Sequence, residues 1–425
     1  MLFFLSLLVV LPMTFAQEEL DFYIQRFNYR ALQLPQKQLP LFKLGSHLFR
    51  DEKISGAGNV SCQSCHSDKG FGGDALPLGL GEGAVGEGEK RIQRNGLVLK
   101  RHSQNIYNVG HPELRNHFWD GRVANTFRNG WFTPEPQLNG LHPELEEVAK
   151  TFSSVTAVQS VFPFTSPEEM LGKDSRLSRI EAWDLVLQKI FKGPSSSLYK
   201  KLFADAFPEA KEYNIGHVGN ALAEFMRHQF AAVNTPWDLY LRGRREVLTE
   251  RMKKGAILFH SKAGCFRCHN RDHFSNFTFH NIGVPQIGPD DKGQYLVTGI
   301  ASDMYEFRVP ALRNVGVTAP YMHSGAFKNL REVIDHYNEP ISSLRNFRWN
   351  PRHPNYRELL VLDSSSTNNT QRERTLSPML AKNLNLTEGE KEDLICFLGA
   401  ALTDVSLQKE IMKKGIVKGI PDCFK

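Results

Sequence analysis

The sequence predicts a mainly α fold of two tandem domains with long loops, and three observations support this prediction. The motif C-x-x-C-H occurs twice, at residues 62–66 and 265–269. The same Gly-x-x-Leu-Phe segment precedes each copy, at residues 45–49 and 255–259. Few segments alternate apolar and polar residues as β-strands do. We therefore expect a duplicated unit in which a helix leads into a cysteine-bearing loop.

Each C-x-x-C-H motif is the attachment signature of a c-type haem. Two thiols at this spacing can form thioethers with the two vinyl groups of one haem, and the histidine that follows can ligate the iron. A zinc site or a disulfide is the alternative, but neither explains the two histidines. The sequence thus predicts two covalent haems in two cytochrome-c-like domains. The predicted haem-binding residues are Cys62, Cys65, His66, Cys265, Cys268 and His269.

Helix signals set the predicted domain boundaries. Apolar residues at helical spacing predict a helix over residues 218–230 that closes the first unit. A capping box from Thr387 to Glu390 predicts the start of the helix that closes the second. Residues 70–96 are Gly-rich and residues 339–378 lack periodicity, so we expect a loop and a long surface excursion there. The predicted ranges are 1–16 for a signal peptide, 17–234 for an N-terminal haem domain, 235–404 for a C-terminal haem domain and 405–425 for a C-terminal tail.

The first sixteen residues resemble a signal peptide. Residues 2–11 are apolar, Pro12 follows, and Thr14-x-Ala16 fits a cleavage site of small residues. Ten apolar residues are too few to span a bilayer. We therefore expect an exported protein, most simply periplasmic, without a membrane span in the mature chain.

The charge and the two remaining cysteines add little to the functional assignment. The formal net charge of +6 is modest for 425 residues, and we predict no nucleic-acid binding from it. Cys396 and Cys423 lie outside both motifs. In an oxidising compartment they can pair, and the sequence leaves both the paired and the free state open.

The order of further motifs resembles one family. Residues 118–122 (Phe-Trp-Asp-Gly-Arg) follow the first C-x-x-C-H, and residues 279–283 (Phe-His-Asn-Ile-Gly) follow the second. Residues 308–315 (Arg-Val-Pro-Ala-Leu-Arg-Asn-Val) then lead into residues 318–323 (Thr-Ala-Pro-Tyr-Met-His). With these motifs the chain resembles the bacterial di-haem cytochrome c peroxidase superfamily over nearly the whole predicted mature chain. The resemblance implies a first haem that reacts with hydrogen peroxide and a second that passes electrons.

The resemblance also assigns roles to four further residues. Trp119 matches the tryptophan between the two haems, although an ordinary buried aromatic residue is the alternative. Glu169 matches the glutamate of the peroxide site, where a carboxylate takes a proton and returns it to the leaving oxygen. Glu168 is a rival, because residues 166–169 also fit an exposed helix start. Pro163 and Gln159 match positions of the peroxide pocket in the MauG-like branch.

Two departures from typical members favour the MauG-like branch. Typical members close the first iron with a histidine soon after the first motif, but residues 67–101 contain none. We therefore expect a first iron that is open to peroxide without an activating loop movement. The next candidate ligands are His102, His111 and His117, for each of which a structural role is the alternative.

The second departure concerns the far side of the second haem. Typical members place a methionine there, whereas the matching residue here, seventeen positions after Pro320, is Tyr337. A tyrosinate ligand favours the higher oxidation states of iron, as expected for the MauG-like branch. Tyr337 also lies on an apolar helical face and is alternatively a core residue. Met322 and Met304 are the alternative ligands.

A calcium ion is a further expectation from the resemblance. Typical members bind it through an Asn side chain and the backbone carbonyls of a Thr-x-Pro segment, which Thr318 and Pro320 match. The Asn position corresponds to His102, with Asn105 nearby. Calcium prefers oxygen ligands, so an imidazole there counts against the site.

The sequence therefore predicts an exported di-haem peroxidase that reduces hydrogen peroxide at the first haem with electrons passed through the second. The expected electron donor is a small redox protein, a cytochrome or a cupredoxin. One alternative is a MauG-like oxidase that uses peroxide to modify a residue of a partner protein. Another is a non-enzymatic di-haem electron-transfer cytochrome, against which the missing histidine after the first motif argues.

Overall fold

Most regular structure in this protein is helical, as predicted. The computed structural model describes residues 15–126, 130–136, 138, 145–409 and 423, and the predicted signal peptide lies almost entirely outside them. The helices are α1 (Phe15–Arg26), α2 (Leu39–Arg50), α3 (Cys62–Cys65), α4 (Glu146–Thr151), α5 (Val155–Ser160), α6 (Arg179–Lys192), α7 (Ser196–Ala206), α8 (Ile215–Gln229), α9 (Pro236–Leu241), α10 (Glu250–His260), α11 (Tyr295–Thr298), α12 (Leu330–Asn338), α13 (Pro340–Asn346), α14 (Ser366–Arg374) and α15 (Glu388–Cys396).

The duplication predicted from the sequence is visible as two equivalent helix pairs, α2 with α8 and α10 with α15. Both glycines of the repeated segment lie where the paired helices touch. A Cβ atom on Gly45 would lie 1.9 Å from the carbonyl oxygen of Ala221, and one on Gly255 would lie 2.0 Å from that of Asp393. Neither glycine can therefore gain a side chain without separating its helices. The two predicted closing helices are confirmed as α8 and α15, the latter with the predicted capping box.

Two apolar cores stabilise the described chain. One core surrounds α2, α5, α6 and α8, and the other surrounds α10, α12 and α15. Helix α1 and residues 76–84 precede most of the first core in the sequence, yet their apolar side chains pack into the second. The domain boundary between residues 234 and 235 stays a prediction. The sequence did not predict that helix α1 and residues 76–84 pack into the second core.

The predicted excursion over residues 339–378 is partly wrong, because it contains α13 and α14. Helix α14 has the sequence Ser-Thr-Asn-Asn-Thr-Gln-Arg-Glu-Arg and so lacks apolar periodicity. Ser365 caps it, and the buried Arg372 pairs with Asp290 and Asp363. Polar contacts rather than an apolar face hold this helix, which explains why the pattern missed it.

Two small antiparallel sheets carry the residues between the helical parts. Strands β1 (Asn116–His117), β2 (Val123–Thr126) and β3 (Gly130–Phe132) form one, and β4 (Phe279–His280) and β5 (Phe307–Arg308) form the other. The Phe-Trp-Asp-Gly-Arg motif is the turn between β1 and β2. The backbone N–H of Arg308 donates to the carbonyl oxygen of Trp119 at 2.8 Å. The tip of the first sheet is thus tied to the second.

Two further predictions concern the disulfide and the membrane. Cys396 and Cys423 form a disulfide, so the open question is answered in favour of pairing. Over the part of the chain that the structure describes, no helix combines the length and the apolar character that crossing a bilayer requires.

Candidate functional site

The first C-x-x-C-H motif lies on the wall of a cavity of about 650 Å³. Cys62 and His66 line it, and Cys65 follows in the one-turn helix α3. The ring Nδ1 of His66 lies 3.0 Å from the carbonyl oxygen of Gly72. When Nδ1–H donates to this carbonyl, the lone pair of Nε2 is free for a metal ion. Burial lowers the pKa of His66 and so keeps the imidazole neutral.

The second motif repeats this arrangement around a smaller cavity of about 220 Å³. Cys265, Cys268 and His269 all line it. The Nδ1 atom of His269 lies 2.9 Å from the carbonyl oxygen of Phe274, five residues further on. Burial lowers the pKa of His269 to about 4. Both histidines are therefore neutral at pH 7 and present Nε2 to their cavities in the same way.

The residues of both cavities fit a c-type haem. All four motif cysteines are free thiols, whereas the other two cysteines pair. Arg308 adds an independent observation at the second cavity, because within the described part of the chain this buried guanidinium donates only to neutral oxygens of Phe118, Gln104 and Val309. Burial lowers the pKa of Arg308 to about 10. A buried cation without an acidic partner suits an anionic group such as a haem propionate.

Glu169 reaches the first cavity from an unusual backbone turn. The segment Pro167–Leu171 is a single π-helical turn, in which the N–H of Leu171 donates to the carbonyl oxygen of Ser166 at 3.0 Å. Such turns redirect side chains and are frequent at functional sites. The carbonyl oxygens of Glu168 and Met170 accept hydrogen bonds from surrounding loops and fix the turn. Glu169 is half-buried, whereas the rival Glu168 is exposed, although both line the cavity.

The surroundings of Glu169 favour its protonated form. Burial raises the pKa of Glu169, while Arg122 and a hydrogen bond with Ser166 counteract part of this rise. The Nε atom of Arg122 makes no hydrogen bond and lies 3.5 Å from an Asp120 oxygen. Gln159 and Pro163 line the same cavity. A carboxyl group with a raised pKa in a polar pocket can both accept and donate a proton near neutral pH.

Trp119 lines both cavities. Its indole N–H donates to the carbonyl oxygen of His102 at 3.1 Å, and the backbone N–H of His102 donates to the carbonyl oxygen of His323 at 2.7 Å. His323 lines the second cavity, where it stacks on Phe307 with 3.5 Å between ring centroids. The hairpin tip thus places one aromatic ring and a chain of hydrogen bonds between the two cavities.

The three alternative histidines take different positions. His102 lines the first cavity, and its Nδ1 atom lies 2.7 Å from the carbonyl oxygen of Leu76. His111 lines neither cavity and contacts another histidine. His117 is a buried residue of strand β1 and also lines neither cavity. Of the three, only His102 is placed to reach an iron in the first cavity.

Tyr337 extends from α12 into the second cavity. Among the described residues no hydrogen bond involves its hydroxyl group, and burial raises its pKa, with the charges of Cys268 and Cys265 adding to the rise. Met322 lines the same cavity, but Met304 does not. Tyr337 and Met322 therefore remain candidate ligands on geometric grounds, and Met304 does not.

Calcium binding stays a prediction. Thr318 and Pro320 adjoin the cis peptide bond Ala319–Pro320. Within the described chain, no backbone N–H donates to the carbonyl oxygen of either residue. Both carbonyls are thus free for a cation, but the side chain of His102 engages Leu76 through one ring nitrogen and contains no oxygen.

Sequence reasoning missed Arg122 and Arg308 as site residues, although both belong to the motifs that carried the resemblance. Arg122 ends the Phe-Trp-Asp-Gly-Arg turn and lines the first cavity, and Arg308 begins the Arg-Val-Pro motif and lines the second. A cation within each motif was the available signal. What the motif could not reveal is that Arg308 is buried without a carboxylate partner among the described residues.

Comparisons with known proteins find similarity to di-haem cytochrome c peroxidases and MauG-like proteins. The family model described as di-haem cytochrome c peroxidase matches residues 40–246. The methylamine utilization protein MauG of Methylorubrum extorquens is 28% identical over 294 residues, 69% of this chain and 67% of that protein. Cytochrome c551 peroxidase of Pseudomonas aeruginosa is 29% identical over 299 residues, 69% and 70% respectively. A solved MauG-like protein associated with microbial copper homeostasis superposes with a TM-score of 0.60 at 25% identity, over 89% of this chain and 94% of that chain.

Proposed function

The chain belongs to the di-haem cytochrome c peroxidase family, and we propose that it reduces hydrogen peroxide in the first cavity with electrons that arrive through the second. One observation carries this proposal. Trp119 lines both cavities, while Glu169, Arg122 and Gln159 line only the first. Among the described residues, carboxylates therefore line the first cavity and not the second, and the aromatic ring of Trp119 lies between the two.

Two covalent haems would supply peroxide cleavage at the first cavity and electron storage at the second. Glu169 takes the proton from peroxide at its carboxylate oxygen and returns it to the leaving oxygen atom. The pocket assists because burial raises the pKa of this carboxyl group, so the proton is held rather than lost to solvent. Arg122 limits that rise of the pKa.

The cavity walls divide the remaining tasks. Gln159 offers an amide and Pro163 offers a side chain without a donor, so together they orient peroxide without adding a competing acid. Trp119 carries an electron between the cavities, held at its carbonyl by Arg308 and at its indole by His102. His66 and His269 would hold the haem irons through Nε2, because their Nδ1 atoms are engaged by backbone carbonyls.

The first test is a stopped-flow absorbance trace of the fully ferric, haem-loaded protein mixed with one equivalent of hydrogen peroxide. We expect rapid spectral change at both haems without prior reduction. In Trp119→Phe the change at the second haem should lag behind that at the first, whereas Trp349→Phe, which lines neither cavity, should behave as wild type. If the spectra change only after one haem has been reduced, the first iron carries a sixth ligand in the ferric protein. If peroxide changes neither the ferric nor the partly reduced protein, the peroxidase proposal fails and an electron-transfer cytochrome is left as the interpretation.

A second candidate function is oxidation of a residue in a partner protein, as in the MauG-like branch. It is favoured by Tyr337, whose hydroxyl lies in the second cavity without a protein hydrogen-bond partner among the described residues. As an anionic iron ligand, Tyr337 would stabilise oxidised states long enough for a slow partner reaction. We propose that the protein is exported to the periplasm. If it acts as a peroxidase, its electron donor there is a small redox protein.

Tyr337→Phe tests this candidate by the absorption and electron paramagnetic resonance spectra of the second haem. We expect both spectra to change. Tyr321→Phe is the matched control, because Tyr321 lines the same cavity but already donates to the carbonyl oxygen of Val315 at 2.8 Å. Unchanged spectra in Tyr337→Phe together with changed spectra in Met322→Leu would assign the ligand to Met322 and remove the support for this branch.

A further inference from the structure

Two buried histidines from distant parts of the sequence meet outside both haem cavities. The Nε2 atom of His273 lies 2.9 Å from the Nδ1 atom of His111, and both side chains are buried. A carboxylate oxygen of Glu113 lies 3.9 Å from the same His273 nitrogen. One ligand atom from each of the three residues lies within 4.8 Å of the others. No step of the proposed peroxide reaction uses this cluster.

The hydrogen bonds around His111 leave its Nδ1 atom unprotonated and facing the cluster. Its Nε2 atom lies 3.2 Å from the carbonyl oxygen of Gln33, and the backbone N–H of Glu113 points at its Nδ1 atom from 3.4 Å. Both contacts require Nε2 to carry the proton and Nδ1 to be bare. A histidine that ligates through one ring nitrogen and donates the other N–H to a carbonyl is the usual arrangement in metal sites.

His273 is also in the ligating form. Burial holds its pKa well below the usual range, and the neighbouring His111 and Arg313 lower it further, so the ring is neutral. Its Nδ1 atom is fully buried and has no hydrogen-bond partner among the described residues. A direct hydrogen bond between the two imidazoles is the simplest metal-free arrangement, but it gives Glu113 no task.

Geometry and charge both suit a divalent cation. In a tetrahedral site two nitrogens about 2.0–2.1 Å from the metal ion are separated by about 3.3 Å, so the 2.9 Å observed here needs to widen by only a few tenths of an ångström to admit the ion. Glu113 is more than half exposed, so its carboxylate can move inward and the ion has a path from solvent. The nearby cations are already neutralised, since Arg227 pairs with Glu224 and Arg313 pairs with Asp238.

We propose that His111, His273 and Glu113 bind one divalent transition-metal ion of the Zn²⁺ class. Two imidazole nitrogens and one carboxylate oxygen form a donor set that zinc and its neighbours accept and that calcium does not prefer. The ion would join residues 111 and 113 to residue 273, which are far apart in the chain. His273 also directly precedes Phe274, whose carbonyl oxygen accepts a hydrogen bond from His269. A metal ion bound to His273 would therefore alter the surroundings of the second haem through a single peptide unit.

The test uses the full haem-loaded chain after treatment with a chelator and desalting. Calorimetric titration with Zn²⁺ and elemental analysis after dialysis should both give one ion per chain. Glu113→Gln should weaken binding at least roughly 10-fold, because even the loss of an outer-shell partner typically costs 10–100-fold. His273→Gln should remove the site, and the exposed His47→Gln is the control for zinc on surface histidines.

A second readout separates a specific site from mere binding. Zinc should shift the electron paramagnetic resonance spectrum of the second haem in wild type and in His47→Gln, and not in Glu113→Gln. Because Glu113 is exposed, its variant should fold even where His273→Gln does not. Fewer than one ion per chain, or equal affinity in wild type and Glu113→Gln, would overturn the proposal.

Discussion

The two halves of the molecule are built on the same helix pair but close their cavities in opposite ways. In the first half α2 crosses α8 at Gly45, and in the second α10 crosses α15 at Gly255. Each C-x-x-C-H motif follows, with Nδ1 of its histidine on a backbone carbonyl five or six residues further on. The first cavity is then walled by Glu169 and other polar groups, and the second by mostly apolar side chains around a tyrosine.

This difference shows which parts of the unit determine function. The helix pair and motif fix where a haem can attach and which side its histidine occupies. The opposite face comes from segments that the two halves do not share, the π-helical turn Pro167–Leu171 in one and helix α12 in the other. The two halves thus share the segment that carries the histidine and differ in the segment that faces it.

The largest effect should come from disrupting the helix crossing that both halves share. Gly45→Ala and Gly255→Ala each place a methyl group within 2.0 Å of a backbone carbonyl oxygen, so we expect each to lower the free energy of unfolding by about 3 kcal/mol. Denaturant unfolding followed by far-UV circular dichroism measures it. Gly389→Ala is the control, because a methyl group there meets no atom within 4 Å and should stabilise α15 slightly. A tolerated Gly45→Ala would show that the two helix crossings are not equivalent.

The next largest effect concerns Glu169, which lines the first cavity and not the second. Glu169→Gln keeps the size of the side chain but removes the proton acceptor, so kcat/KM for peroxide should fall roughly 100-fold, about 2.7 kcal/mol. The pKa of Glu169 is raised by burial, so the carboxylate is lost on acidification at a higher pH than for an ordinary glutamate. The peroxide rate of wild type should therefore fall on the acid side at that higher pH, and the Gln variant should lack this limb.

Glu168→Gln is the matched control for the previous experiment. Glu168 neighbours Glu169 on the same turn but is exposed, so the peroxide rate should change little. If Glu168→Gln rather than Glu169→Gln abolished the acid limb of the pH profile, the acid–base role would move to Glu168.

The smallest of these effects concerns the ion pair that ties the two halves together. Arg101 contacts Asp291, which is buried. Burial alone would raise the pKa of Asp291, but the hydrogen bonds and charge of Arg101 outweigh it and lower the pKa to about 2. Since this value lies below that of the unfolded chain, the pair stabilises the fold by about 2 kcal/mol above pH 4 and loses this contribution as the pH falls towards 2.

Asp291→Asn should therefore lower the free energy of unfolding at pH 7, and the difference from wild type should shrink as the pH approaches 2. Denaturant titrations at several pH values measure this. Glu373→Gln breaks a pair with the largely exposed Arg345 and should cost no more than about 1 kcal/mol at any pH. An Asp291→Asn difference that is independent of pH would mean that the loss arises from packing and not from charge.

The sequence predicted those parts of the structure whose signals are local. The repeated Gly-x-x-Leu-Phe and C-x-x-C-H segments lie on α2, α3 and α10 as expected, and the capping box from Thr387 starts α15. Polar helices such as α14 were missed because no apolar stripe marks them. Glu169 and Trp119 were named through the family resemblance, and the structure adds their surroundings while their roles stay predictions.

What the sequence could not supply is the meeting of residues that lie far apart in the chain. The contact of His111 with His273 joins positions 162 residues apart. The burial of Arg308 away from carboxylates depends on which of the molecule's many acidic groups lie nearby, and no local pattern encodes that. The packing of α1 into the second core likewise follows from the shape of the folded chain and not from any motif.

The hydrogen bond of the Trp119 indole affects how stable this side chain would be after losing an electron. Its indole N–H donates to the backbone carbonyl of His102 and not to a carboxylate or an imidazole. An indole that loses an electron becomes a strong acid, and a base in that position would remove its proton and trap the hole as a neutral radical. A peptide carbonyl is too weak a base to do so. If Trp119 carries charge as proposed, this hydrogen bond would let the indole return to its original state without losing a proton.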